Sequence, residues 1–240
     1  MGRKKKEVSK STPEIVVDKN IITLPPLKCK NKKQKILREE IRKHDVVICD
    51  GCAGSGKTYI TLYEGVYQML CKNYDKVILC KSVISTPDQN IGYIPGSVEE
   101  KMDPYIISYK GNLEKMLNKE EHVKRLFNDK KIIVLPLSYI RGITLDNAYI
   151  IIDESQNISM ELFKSIITRI GENSKMIFLG DIEQVDFDSD KKRKNSALQH
   201  IINIFKDDTD VATVHFEDSE CVRNPIIPKI LDKLRKFTNK

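Results

Sequence analysis

Six short stretches of the chain are continuously apolar: Val46 to Cys49, Val77 to Cys80, Ile132 to Leu135, Tyr149 to Ile152, Met176 to Leu179 and Val211 to Val214. None alternates apolar with polar positions, so each reads as a strand covered on both faces, as the strands of a parallel sheet are. Between them lie stretches compatible with helix, Thr58 to Lys72, Val98 to Lys119, Met160 to Ile170 and Ser196 to Phe205. Strand and helix alternate, which predicts a doubly wound α/β sandwich with right-handed crossovers. Pro25-Pro26 reads as a hinge between a flexible arm, residues 1–27, and a single domain, residues 28–240. The loop from Ser82 to Gly96 holds Pro87, Gly92, Pro95 and Gly96, and loops of such length tend to be functional. No internal repeat is evident.

Composition narrows the class. Of 240 residues, 40% are hydrophobic and 31% charged, which excludes collagen-like, mucin-like and wholly disordered chains. No apolar run approaches the roughly 18 residues of a membrane span, and Met1 to Lys10 lacks the apolar stretch of a signal peptide. The expected compartment is the cytoplasm. Gly2 invites acylation, but Lys6 stands where that pattern wants Ser or Thr.

The net charge of +7 is unevenly placed. Residues 1–43 hold 14 Lys/Arg against 5 Asp/Glu, whereas the remaining 197 residues carry 27 against 29. A basic arm attracts polyanions by neutralising phosphates and releasing counterions, so RNA or DNA is a candidate partner; a solvated tail remains the alternative. The six cysteines include one C-x-x-C, Cys49 to Cys52, with neither a second such pair nor a nearby His pair to complete a zinc site. They read as small apolar residues of a reducing compartment.

After the first apolar run comes Gly51-Cys52-Ala53-Gly54-Ser55-Gly56-Lys57-Thr58, a complete G-x-x-x-x-G-K-[ST] that opens a helix, with Tyr59 next in the same binding segment. Glycines let backbone N–H groups curl around phosphate oxygens, and the helix amino terminus adds partial positive charge. Lys57 suits the β and γ phosphates, and the Thr58 hydroxyl suits Mg²⁺. The pattern therefore predicts a nucleoside triphosphate site. Ala148 to Ile152 then runs into Asp153 and Glu154, two acids at the carboxyl end of a strand, where open α/β sheets bind ligands. Asp153 would hold Mg²⁺, and Glu154 would be the base that polarises water. A third strand ends in Gly180-Asp181-Ile182-Glu183-Gln184, where Asp181 and Gln184 can sense the γ phosphate and orient water. Asn157-Ile158-Ser159 also matches a glycosylation acceptor, read as chance in a cytoplasmic nucleotide enzyme.

Asp153 to Gln156 together with Gly180 to Gln184 resemble motifs II and III of superfamily 1 helicases, whose core is RecA-like. From about Lys32 to Leu231 the chain is identified as resembling the PhoH family of P-loop ATPases. Tyr93 to Gly96 with Glu100 to Tyr105 is similar to the family's F-L-P-G and E-K-x-x-P-Y segment. Pro136 to Leu145 resembles P-L-x-Y-M-R-G-x-T-L, and Thr168 to Gly171 with Ser174 to Met176 resembles L-T-R-I-G-x-x-S-K-M. Asp218 with Val222-Arg223 resembles the closing D-V-V-R-H. The chain departs from the family at Lys81-Ser82, which stands for a basic-Pro pair, at Ile143 for Arg and at Asn224 for His.

The resemblance implies a RecA-like P-loop NTPase that binds ATP and Mg²⁺ and couples hydrolysis to RNA or single-stranded DNA, as a helicase or remodelling motor. It implies adenine recognition by Gln34, 17 positions before Gly51, in a segment, Lys32 to Lys43, that otherwise reads as a lysine-rich helix surface. Superfamily 1 motors close ATP between two such domains, but this chain has one phosphate loop. An arginine finger from a neighbouring subunit, Arg169 or Arg223, would complete the site in a homo-oligomeric ring, a hexamer among the options. A nucleotide-dependent RNA-binding switch and a small-molecule kinase remain as alternatives.

Overall fold

A computed structural model describes residues 22–81, 98–184 and 197–223, with Ile226, Lys229, Ile230 and Lys233 beyond them. Residues 1–21 of the basic arm and the loop from Ser82 to Gly96 lie outside the described residues.

Helix α1 (Lys32–Lys43) is capped by Asn31, whose side chain accepts from Gln34 N–H, and buries Gln34, Leu37 and Ile41. Strand β1 (Val46–Gly51) leads through the phosphate loop into α2 (Lys57–Leu70), and β2 (Lys76–Lys81) follows. After α3 (Val98–Leu117), α4 (Glu120–Asn128) and β3 (Ile132–Pro136), a short 3-10 helix over Leu137–Gly142 returns the chain to β4 (Ala148–Asp153). The remaining elements are α5 (Met160–Ile167), β5 (Lys175–Leu179), α6 (Ala197–Ile204) and β6 (Val211–Phe216).

The strands form one sheet in the order β3-β2-β4-β5-β1-β6. Every adjacent pair is parallel. All carboxyl ends therefore share one edge, and β5 separates the phosphate-loop strand β1 from the acid-bearing strand β4. This is the RecA-like P-loop α/β fold that the motifs predict. The inner runs, on β1, β2, β4 and β5, are buried on both faces as expected, whereas the edge strands differ: β3 is mostly half-buried after Ile132, and β6 alternates buried Ala212, Val214 and Phe216 with more exposed positions, because each has a neighbour on one side only. Val47, Leu79 and Ile151 join Leu37, Leu62 and Leu113 in the layer under α1, α2 and α3. Ile48, Ile150 and Phe178 meet Phe163, Ile166 and Leu198 of α5 and α6 on the other face.

Three details differ from the sequence pattern. The predicted helix Val98 to Lys119 ends at Leu117, because Asn118 turns left-handed at φ 53°, and α4 starts afresh. Helix α5 stops at Ile167, and Ile170 instead bridges Leu145. The arm does not run free as far as residue 27: Ile22, Leu24 and Leu27 pack on the core, and Tyr63 OH donates to Pro25 O at 2.6 Å. No described helix is long and apolar enough to cross a membrane.

Candidate functional site

Between β1 and α2 the chain makes a tight turn, and glycines at positive φ allow it. Gly51 has φ 122°, and a Cβ there would fall 2.2 Å from Phe216 O of β6. Gly56 caps α2 at φ 90°, so the helix begins with Lys57 and Thr58 at its positive end. Lys57 Nζ donates to the carbonyls of Gly51 (2.5 Å) and Cys52 (2.9 Å), folded into the loop that it serves. Ser55 is buried and closes the loop by donating to Cys52 O at 2.9 Å.

The segment after β6 straps this loop. Val222 N–H donates to Gly54 O at 3.0 Å, and Cys221 Sγ lies 3.5 Å from Ala53 O. The C-x-x-C spans the end of β1 and the loop: Cys49 is buried in the strand, and burial pushes the Cys52 thiol up to about 11. Gln34 sits beneath the loop, its Nε2 donating to Ser55 O at 2.8 Å.

The acids come from β4. Asp153 is half-buried and accepts from Tyr109 OH on α3 and from Glu154 N–H, both at 3.1 Å. Burial, with help from the neighbouring Glu154 charge, pushes its carboxyl above the usual carboxylate range. Glu154 adopts the left-handed region at φ 58°, which turns its side chain off the strand line. Its carboxylate meets Lys81 Nζ at 3.4 Å and Gln156 Nε2 at 2.7 Å.

Gln156, almost fully buried, links the two acidic motifs. Its Oε1 accepts from Asp181 N–H, and its Nε2 also donates to Gln184 O, each at 3.1 Å. Gln184 Nε2 returns to Asp181 Oδ2 at 2.8 Å. Glu154, Asp181 and Gln184 thus share one hydrogen-bonded network at the tips of β4 and β5.

A cleft of about 790 Å³ at this edge is lined by Gln34, Ala53, Gly54, Gly56, Lys57, Thr58, Tyr59, Asp153, Glu154, Asp181, Gln184 and Arg223. The Thr58 hydroxyl and the Asp153 carboxylate are hard oxygen donors on that lining, and a carboxylate destabilised by burial is suited to a divalent cation such as Mg²⁺. Arg223 stands at its own chain's loop: a Cβ on Gly54 would come within 2.6 Å of Arg223 Cδ. The strap bonds of Cys221 and Val222 hold it beside its own chain's cleft. Arg169 is elsewhere. At the carboxyl end of α5 its Nε donates to Ser165 O at 3.2 Å, and its carbonyl accepts from Leu145 N–H, ahead of β4. That is the sheet edge opposite the phosphate loop.

Sequence motifs alone do not single out Tyr109, Lys81 or Gln156 as site residues. Gln156 had a signal, since it closes the Asp153 to Gln156 motif. Tyr109 had none, because its contact with Asp153 spans 44 positions.

The family model described as PhoH-like protein matches residues 26–235. A PhoH-like protein of Synechocystis sp. is 34% identical over 213 residues, covering 89% of this chain and 63% of the relative. A PhoH-like protein of Bacillus subtilis is 31% identical over 210 residues, covering 88% of this chain and 64% of the relative. The chain thus spans less than two thirds of either relative's length. Among solved structures, the large terminase of a thermophilic bacteriophage superposes with a TM-score of 0.48 at 13% identity, covering 84% of this chain and 49% of that one.

Proposed function

The chain belongs to the PhoH-like protein family, and on that premise we propose that it is a Mg²⁺-dependent ATPase whose hydrolysis is coupled to single-stranded RNA or DNA. The observation that carries this reading is the convergence of Lys57, Thr58, Asp153, Glu154, Asp181 and Gln184 on one cleft from three neighbouring strands. Backbone N–H groups of Ala53 to Thr58 and the α2 amino terminus cradle the phosphates. Lys57 exchanges its two carbonyl partners for the β and γ oxygens. Thr58 and Asp153 would hold Mg²⁺, which supplies charge neutralisation on the phosphates.

Glu154 accepts the proton of the attacking water. Asp181 and Gln184, held by Gln156, orient that water and respond to the γ phosphate. Arg223 supplies a cation from the strap, and Tyr59 lines the same wall. Gln34 retains capacity to meet the adenine edge. Coupling to a nucleic acid is supported by the charge distribution, since residues 1–43 hold 14 Lys/Arg against 5 Asp/Glu.

Phosphate release from ATP, measured with and without single-stranded poly(U), tests the reading. Mg²⁺-dependent release that rises with the polymer is the expected result. Tight binding without release would make the protein a nucleotide-dependent switch, and phosphate appearing on a small acceptor would make it a kinase.

A further inference from the structure

Each oxygen of the carboxylate that the reaction needs as its base has a partner. Glu154 Oε1 lies 3.4 Å from Lys81 Nζ, and Oε2 accepts from Gln156 Nε2 at 2.7 Å. A general base must offer an oxygen within hydrogen-bond reach of the water that it deprotonates; each oxygen keeps a further lone pair and 37% of the side chain is exposed, so what the two partners fix is the direction in which the carboxylate points.

The two partners differ in how firmly they are fixed. Gln156 is 1% exposed, and its amide is tied to Asp181 N–H and Gln184 O. Lys81 reaches Glu154 on a flexible four-carbon stem, with 27% of its side chain exposed. It is the last residue of β2, in register with Asp153 on the adjacent β4, so its ammonium projects at the tip of the acid strand. Lys81 is thus the partner that can leave. No other described cation pairs with Glu154 within 4 Å.

We propose that Lys81 is a positioning residue that latches Glu154 away from the attacking water, and that a nucleic-acid strand releases it by drawing the ammonium onto its phosphates. The second half rests on the nucleic-acid coupling proposed above. A strand that offers several phosphates competes for a solvent-reachable ammonium far better than one carboxylate does. The latch would keep ATP unspent until a strand occupies the carboxyl edge of the sheet.

The test compares the full chain with its Lys81→Ala and Lys81→Arg variants, measuring kcat and KM for ATP with Mg²⁺, with and without poly(U), alongside thermal melts. In Lys81→Ala the polymer-free kcat should rise by roughly an order of magnitude, a fraction of the ~10² to 10⁴ that a general base supplies. KM should change little, and poly(U) should add little further. Lys81→Arg, which keeps a cation on a long stem, should restore the low rate and the stimulation. A Lys81→Ala protein that melts like the parent and turns over no faster overturns the latch. If Lys81→Ala melts early, a Lys81→Gln protein of parental stability decides by the same criterion. If the polymer-free rate rises but poly(U) never stimulates the parent, the latch stands and the nucleic-acid coupling falls. If poly(U) stimulates parent and Lys81→Ala alike from the same low rate, the coupling stands and the latch falls.

Discussion

Gln34 Nε2 donates to the carbonyl of Ser55 at 2.8 Å, which ties the first turn of α1 to the phosphate loop. Its Oε1 accepts from Lys30 N–H at 2.7 Å. A primary amide carries two donors and two acceptor sites, so one N–H and one lone pair remain for an adenine edge. Gln34→Leu strands both backbone partners and is expected to cost about 1–3 kcal/mol in urea denaturation, the penalty of unpaired buried groups. The same variant should lose affinity for ATP more than for GTP. Equal losses for the two nucleotides would leave Gln34 as a brace alone.

Lys57 and Glu154 line the same cleft but should fail differently when changed. Lys57→Ala removes the cation that meets the phosphates, so fluorescent ATP analogues should no longer bind tightly. Glu154→Gln preserves size but removes the base and one of its two acceptor oxygens, so binding should persist while turnover falls by ~10² to 10⁴. Turnover within a few-fold of the parent would sink the assignment of Glu154.

The inner strands were legible because their apolar runs are covered on both faces, a burial that leaves its trace in consecutive residues such as Ile150, Ile151 and Ile152. Their ends were not. Asp50 and Gly51 continue β1 by backbone pairing with His215 and Phe216, and pairing leaves no trace in local composition. Helix α4 went unread because only Val123 and Leu126 of its nine residues are buried, too few to mark an apolar face. In the site, residues that act through local sequence, such as Gly56-Lys57-Thr58, could be read directly. Those that act across the sheet, such as Lys81 on Glu154 and Tyr109 on Asp153, depend on strand order and helix placement that no spacing encodes.

Asp50 is buried at the end of β1, with Oδ2 3.0 Å from His215 Nδ1. Burial raises its carboxyl above the ordinary value of 3.8, and the interaction with His215 offsets this only in part. A raised folded-state pKa means a contribution to stability that is full below the unfolded value and is lost as pH rises through the folded one. Asp50→Asn keeps the shape without the charge. It should therefore be more stable than the parent at neutral pH, with the gap closing as pH falls toward 3.8. Urea midpoints at two pH values measure this; a parent more stable at neutral pH would mean that the His215 pair outweighs burial.

The two candidate arginines make opposite predictions for subunit mixing. Charge on the transferred phosphoryl group is stabilised by an arginine finger worth ~10³ to 10⁵ in rate. Arg223 lies against Gly54 of its own chain, whereas Arg169 sits at the sheet edge away from that cleft. If subunits stack head to tail, the edge that bears Arg169 can face the phosphate loop of the next copy, and such heterologous contacts close into a ring when the rotation permits. Single changes at either arginine should each depress turnover. Mixing Lys57→Ala with Arg169→Ala should then recover activity, because some interfaces pair an intact loop with an intact Arg169. Mixing Lys57→Ala with Arg223→Ala should recover none, since the first protein lacks a working loop and the second lacks the cation beside its own. Subunit exchange is followed with fluorescently labelled copies. With exchange established, recovery in the Arg223 mixture alone would exchange the two roles, and recovery in neither would confine Arg223 to its own chain and leave Arg169 without a part in the cleft.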